Sequence, residues 1–284
     1  MLFNYMQNQS ISLGWDFYIP ILLFALLCFM AVPVWVSIGA AAITMLFMSG
    51  ALPLSLIGES LFDGIDAFAL TAVPLFILTG DVLVRTGLSR KFLDVADALT
   101  CWTRGGFGSA TVLVCGMFSS ISGSDAAGAA AVGRMTIARL VESGYPRPYA
   151  CALVAAGACT GILIPPSIAY IIIGLVLGIS ASVLFMAALI PGFIVLFSIL
   201  VTNIVVNRIY HYEKGGNIGF AEWWGNLKQA IFSGWYAFIV PGIIFYGIFS
   251  GSLTPTEAGA TAVIVTIALG FIIGTFVFAI FNIA

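Results

Sequence analysis

The sequence predicts an all-α integral membrane protein, and three observations carry that prediction. Of its 284 residues, 61% are hydrophobic and only 8% charged, with a mean hydropathy of +1.14. A soluble domain needs roughly 25% charged residues to cover its surface. Runs such as FYIPILLFALLCFMAVPVWVSIGAAAITMLFM reach the roughly 20 residues that cross a bilayer as a helix. The alternating pattern of a membrane barrel is absent, and spanning backbone must satisfy its own hydrogen bonds, so the spans are read as helices. The same composition disfavours other classes. His211 is the single histidine and lies in the polar stretch NRIYHYEKGG, so a histidine-based metal site or triad has no support. The five cysteines lack metal-ligand spacing and read as free thiols packed as small hydrophobes. An intramembrane enzyme is therefore not expected, nor is a transition metal, a cofactor or a nucleic-acid partner.

The first segment, MLFNYMQNQSISLGWDF, has no basic n-region and no small-residue cleavage site, so the first apolar stretch is expected to be retained. The ten Lys and Arg residues form three clusters: Arg85, Arg90, Lys91 and Arg104; Arg134, Arg139 and Arg147; Arg208, Lys214 and Lys228. Basic loops stay cytoplasmic, so all three should share one side, with an even number of crossings between them. The first 84 residues hold no Lys or Arg and fit three crossings, at 16–31, 33–50 and 68–84, which puts the N-terminus outside and makes LSLIGESLFDGIDAF an acidic external loop. Residues 148–207 fit two crossings that turn near LGISAS, and 229–284 fit two more that turn at SGSLTP. The expected total is about seven spans.

The interval 105–133 is rich in Gly, Ser and Ala and flanked by basic residues. One crossing would place arginines outside, and two full crossings need roughly 40 residues. A re-entrant hairpin satisfies both limits, with SSISGSDAAG at its tip, where irregular backbone must line a cavity or be buried in protein. A second interruption falls in GACTGILIPPSIAYIIIGL: Pro165 and Pro166 remove two donors and disfavour helix before them. The helix over 148–178 should break between Gly161 and Pro166 and resume at Ser167, leaving helix ends that attract ions and anionic groups.

MAVPVWVSIGAAA and SLTPTEAGATAVI share a proline, Pro33 or Pro255, that leads into a small-residue helix, and the charge count gives the two opposite directions. That is the pattern of an inverted-topology repeat, as in secondary transporters. Between the halves, YEKGGNIGFAEWWGNLKQA reads as an amphipathic helix in the cytoplasmic interface. The expected organisation is thus 1–84 as N-terminal spans, 85–207 as a transport region, 208–232 as the connector and 233–284 as the start of a second repeat.

FSSISGSDAAGAAAVG, GILIPPSIAYIIIG and SGSLTPTEAGATA, in that order, together with VPLFILTGDVLVRTGLSRK, resemble the large membrane subunit of tripartite ATP-independent periplasmic (TRAP) transporters, the DctM-type permease. The resemblance implies an elevator-type, sodium-coupled importer in the bacterial inner membrane. It further implies an organic acid as substrate, a C4-dicarboxylate or a sialic acid among the possibilities, with an extracytoplasmic binding protein and a small membrane subunit as partners. The family's large subunit completes a second repeat, which this sequence leaves unfinished at FVFAIFNIA; the missing part is expected elsewhere in a longer or second polypeptide, or the chain is a non-transporting remnant or scaffold. Asp125 stands where the family usually has a small neutral residue.

Sodium prefers oxygen ligands, and hydroxyls with free carbonyls at a hairpin tip supply them. The candidate cation ligands are Ser119, Ser120, Ser122, Gly123 and Ser124 of the hairpin, with Thr160, Gly161 and Pro165 of the broken helix. Ser122, Ser124, Asp125, Pro166 and Ser167 are the candidates for substrate contact. The same small residues also permit close helix packing, with serines bonding back to their own helix. Asp125 is read as a cation or proton site, or as a cap on the hairpin's second helix. Glu257 suits capping after Pro255. The role of Asp81 is open, and no Lys or Arg lies inside a predicted span to pair with an anionic substrate.

Overall fold

A computed structural model describes residues 15–49, 58–59, 62–64, 66–103, 105–213 and 219–273. The N-terminal residues expected to be retained, part of the acidic loop and the segment FVFAIFNIA fall outside the described residues. The contacts divide the chain into two units, Met1–Asp66 and Ala67–Ala284.

The first unit is a pair of helices packed on each other, α1 (Trp15–Phe29) and α2 (Val34–Ser49). They lie within the segments 16–31 and 33–50 but for Trp15. Proline sets the break: Pro33 cannot continue α1, Ala31 turns the chain at a φ of 58°, and the Val36 and Ser37 amides bond to the Pro33 carbonyl to begin α2. The described parts of α1 and α2 have 15 and 16 residues, against the roughly 20 of a full crossing.

The second unit begins with a 3-10 turn, Phe68–Thr71, leading into α3 (Ala72–Arg85). Then follow α4 (Leu88–Thr100), α5 (Gly106–Ser122), α6 (Asp125–Glu142), α7 (Arg147–Leu163), α8 (Ile168–Leu177), α9 (Ala181–Tyr210), α10 (Phe220–Gly234), a 3-10 turn Trp235–Phe238, α11 (Ile239–Phe249) and α12 (Pro255–Ile272). Among the described residues, five stretches are long and apolar enough to cross a membrane: Phe68–Arg85, Arg147–Leu177, Ala181–Tyr210, Phe220–Phe249 and Pro255–Ile272. The described residues form helices and no strands, and these stretches fit a multi-pass membrane protein.

Helices α5 and α6 form a helical hairpin that turns at Gly123, and α5 packs against α3, α4, α6, α7 and α9. Every residue of α5 except Leu113 and Met117 is buried. The second limb is longer than the interval 105–133 allowed, because Arg134 and Arg139 lie on exposed faces of a helix that continues to Glu142. Charged residues on an exposed face do not end a helix. The helical stretch from Arg147 to Leu177 is divided by Ile164–Ser167 into α7 and α8.

Two elements depart from the expected organisation. The first basic cluster lies partly on a helix, α4, whose Leu88, Phe92, Leu93 and Ala96 are buried at helical spacing. The connector over 208–232 is not separate from the span after it: α10 passes through the 3-10 turn into α11 as one helical run from Phe220 to Phe249. It packs along α4, and the Phe92 and Phe238 rings meet edge to face at 5.1 Å.

Candidate functional site

The hairpin tip and the break of the α7–α8 helix meet. At the tip, Gly123 closes α5 with a φ of 66°, its amide donating to the Ser119 carbonyl at 2.8 Å. Its own carbonyl accepts the Ile168 amide, the first of α8, at 3.4 Å. Ser124 then caps α6, its hydroxyl accepting from the Ala127 amide at 3.4 Å. Asp125 follows as the first helical residue, and its Oδ1 accepts the Ile162 amide of α7 at 3.0 Å. The helix cap is therefore Ser124, and Asp125 instead ties the tip to the last turn of the broken helix.

Glycines let these helices approach. A Cβ on Gly161 of α7 would fall on the Cβ and backbone of Ser119, and one on Gly128 of α6 would fall on the Ser119 hydroxyl. Ser119 is thus held between two glycines on two different helices. One turn back, a Cβ on Gly116 would lie 3.0 Å from the Thr160 hydroxyl, so Thr160 faces α5 rather than the tip itself.

Most of the hydroxyls in this crossing are already bonded. Ser120 donates to the Met117 carbonyl at 2.8 Å, Ser122 lies 3.3 Å from the carbonyls of Ser119 and Ser124, and Thr160 donates to Gly157 at 2.6 Å. Two are not: Ser119 Oγ and Ser167 Oγ are buried and have no hydrogen-bond partner among the described residues. Ser167 sits at the N-cap of α8 without capping it. A buried hydroxyl without a partner carries an uncompensated desolvation cost. Ile164, Pro165, Pro166 and Ser167 are all buried in the break, and the Pro165–Pro166 peptide is cis. The last turns of α5 and α7 end here, and with them carbonyls that have no amide one turn ahead.

The residues proposed as cation ligands thus divide. Ser119, Gly123, Gly161 and Pro165 lie at the tip and the break, beside the substrate-contact candidate Ser167, whereas Ser120, Ser122 and Thr160 bond back into their own helices and Ser124 caps α6. No group of three or more His, Cys, Asp or Glu side chains suited to a metal ion occurs among the described residues. Glu257 forms a capping box with Thr254: the Thr254 amide donates to its carboxylate at 2.8 Å, and the Thr254 hydroxyl accepts the Glu257 amide.

The base of the hairpin holds residues that sequence reasoning did not single out. Glu213 Oε1 accepts the Phe107 amide at 3.1 Å, and its Oε2 accepts the Tyr145 hydroxyl at 3.0 Å. Burial first, and then the Glu213 carboxylate, push the Tyr145 phenol above its ordinary range, so it remains a neutral donor. Asn207 holds Glu213 through both backbone groups, at 3.0 and 2.8 Å. Asn203 donates to the Gly105 carbonyl and the Ser109 hydroxyl. Arg139 pairs with Asp97 at 2.7 Å and lies 4.0 Å above the Phe107 ring. Asn203 and Asn207, buried one turn apart in the apolar helix α9, were the available signal: polar residues inside a span need partners.

The sequence matches the family model for the DctM component of tripartite ATP-independent periplasmic transporters over residues 21–281. It is similar to an isethionate TRAP transporter permease protein, DctMQ, of Oleidesulfovibrio alaskensis, 35% identical over 89% of this chain and 39% of the relative. It also resembles the C4-dicarboxylate TRAP transporter large permease protein DctM of Pseudomonas aeruginosa, 34% identical over 72% of this chain and 47% of the relative. The sialic acid TRAP transporter large permease protein SiaM of Vibrio cholerae is 31% identical over 87% of this chain and 57% of its own length. The chain thus spans about half the length of the curated relatives it matches. With a family model covering nearly all of its residues, the chain belongs to the DctM component family of TRAP transporters.

Proposed function

We propose that the chain is part of the large permease of a sodium-coupled TRAP transporter that imports an organic acid across the bacterial inner membrane. The carrying observation is the pair of buried, unpartnered hydroxyls, Ser119 Oγ and Ser167 Oγ, at the crossing of the hairpin tip and the helix break. Together with the C-terminal carbonyls of α5 and α7, they offer oxygen ligands to a hard cation without a buried carboxylate at its centre. Sodium is the cation that this reading selects, with Ser119, Gly123, Gly161 and Ser167 as its neighbours.

In the mechanism, a cation that neutralises the carbonyl ends of α5 and α7 stiffens the tip against the break. The Asp125–Ile162 and Gly123–Ile168 bonds hold the two broken elements in register while it does so. A carboxylate then meets a preorganised, less negative surface near Ser122, Ser124 and Pro166. An elevator movement of 85–207 relative to the N-terminal spans, within an inverted-repeat architecture, would carry both across. An extracytoplasmic binding protein would deliver the acid, and a small membrane subunit would complete the assembly, with the N-terminus of this chain on the periplasmic side. The relatives named above concern isethionate, C4-dicarboxylates and sialic acid.

The test is reconstitution of the chain with its companion subunits and binding protein, followed by uptake of labelled succinate, N-acetylneuraminate and isethionate. Uptake of one of them, driven by an inward sodium gradient, is expected. Uptake that is equally fast without sodium would remove the coupling, and uptake of none would remove the transport reading.

A further inference from the structure

We propose that Arg134, on the exposed face of α6, is an anion-binding residue on a path that leads a small organic carboxylate to or from the hairpin tip. Two cavities, of about 510 and 430 Å³, share Val84, Ala131 and Arg134 as lining residues. Both volumes fall within the range of small-molecule sites. The larger reaches the tip, where Gly80, Phe118, Ser122 and Ala127 border it. The smaller continues toward the end of the unit that carries Ser89, Arg90 and Asp94. Arg134 stands where the two join.

The charges along this path do not cancel. Asp81 and Asp94 line it, but each already has a cation: Arg85 lies 2.7 Å from Asp81, and Lys91 3.6 Å from Asp94. Arg134 and Arg90 have no carboxylate within ion-pairing distance among the described residues. Arg134 uses only its Nε, which donates to the Ala130 carbonyl at 3.1 Å. Its two terminal amino groups are left to present the planar fork that fits a carboxylate with two parallel bonds. Beside that cation the wall is small and apolar, with Ile77, Leu78, Ala127 and Ala131. One charged head and a short carbon skeleton match this lining, and the end of the path at the buried Ser122 places the anion next to the tip.

This inference rests on the carboxylate-permease reading and answers its missing requirement, a positive partner for the acid. The shared chemistry is an anionic oxygen group, which a lipid phosphate also carries, so the test separates the two sources. A thiol reporter is introduced as Ala127→Cys, and its rate of alkylation is followed in open membrane fragments that contain the complete permease assembly, counted above the label on the parent chain. Succinate, N-acetylneuraminate or isethionate, whichever the assembly transports, should slow labelling at least tenfold at saturation. Arg134→Gln should abolish that protection, and Arg134→Lys should keep part of it. The melting profile of each variant is recorded, and the Lys variant carries the test if the Gln variant does not fold. Transport of an acid with no protection by it, or equal protection in the Gln variant, overturns the inference. Labelling that is slow without acid in phosphatidylglycerol liposomes and fast in phosphatidylcholine ones also overturns it, in favour of a lipid headgroup. Protection by an acid that is not taken up keeps the binding site and removes the transport reading instead.

Discussion

The two ends of the hairpin are built in opposite ways. At the base, the amide of Phe107, the hydroxyl of Tyr145, the side chains of Asn203 and Asn207 and the guanidinium of Arg139 all have partners, most of them on other elements. At the tip, the Gly123 carbonyl and the Asp125 carboxylate each accept one amide from the helix break, and two buried hydroxyls have no partner among the described residues. A fully bonded polar network fixes one arrangement, because each group that loses its partner is costly to leave buried. An incomplete network has capacity for one more participant. The base therefore anchors the hairpin, and the tip is where the proposed cation would be added.

The contrast is broken most severely at Gly161. Gly161→Ala would drive a methyl into the backbone of Ser119, which cannot yield as a flexible side chain does. A loss of about 3 kcal/mol, or failure to assemble, is expected in thermal melts of the purified permease. Glu213→Ala removes the anchor at the base and strands the Phe107 amide and the Tyr145 hydroxyl; about 2 kcal/mol of stability should go. Tyr145→Phe removes only one of those bonds and should cost about 1 kcal/mol by the same measurement. Ser119→Ala gives the smallest stability change, within about 0.5 kcal/mol, because it deletes a hydroxyl that has no partner to strand. It should nevertheless raise the sodium concentration for half-maximal uptake about tenfold. A large stability loss in Ser119→Ala would show that its hydroxyl has a structural bond and would erase the difference between tip and base.

Much of this arrangement was legible in the sequence, for reasons that are physical. The turn at Gly123 follows from serine and glycine between two apolar limbs, and the break at Ile164–Ser167 from two consecutive prolines. The capping box of Thr254 and Glu257 is local, three residues apart, so sequence contains it. Asp125 shows the opposite case. It sits next to a similar cap, but at the first helical position, and its partner is Ile162, 37 residues away. No local rule reports such a bond. A still longer separation hid Glu213, which reaches back 106 residues to Phe107. Helix α4 was hidden differently: its charges suggested a loop, while its buried stripe of Leu88, Phe92, Leu93 and Ala96 was the signal that mattered.

In the proposed function, the tip and the break together hold sodium. The most direct measurement is the thermal stability of the purified permease assembly, titrated with sodium chloride against potassium chloride at constant ionic strength. A ligand that binds the folded state raises its melting temperature with a dependence set by its dissociation constant. The account predicts stabilisation by sodium and not by potassium, with the midpoint moved to at least tenfold higher sodium when Ser119 and Ser167 are both changed to alanine. Identical titrations for the parent and the double variant, or equal stabilisation by the two salts, would contradict it.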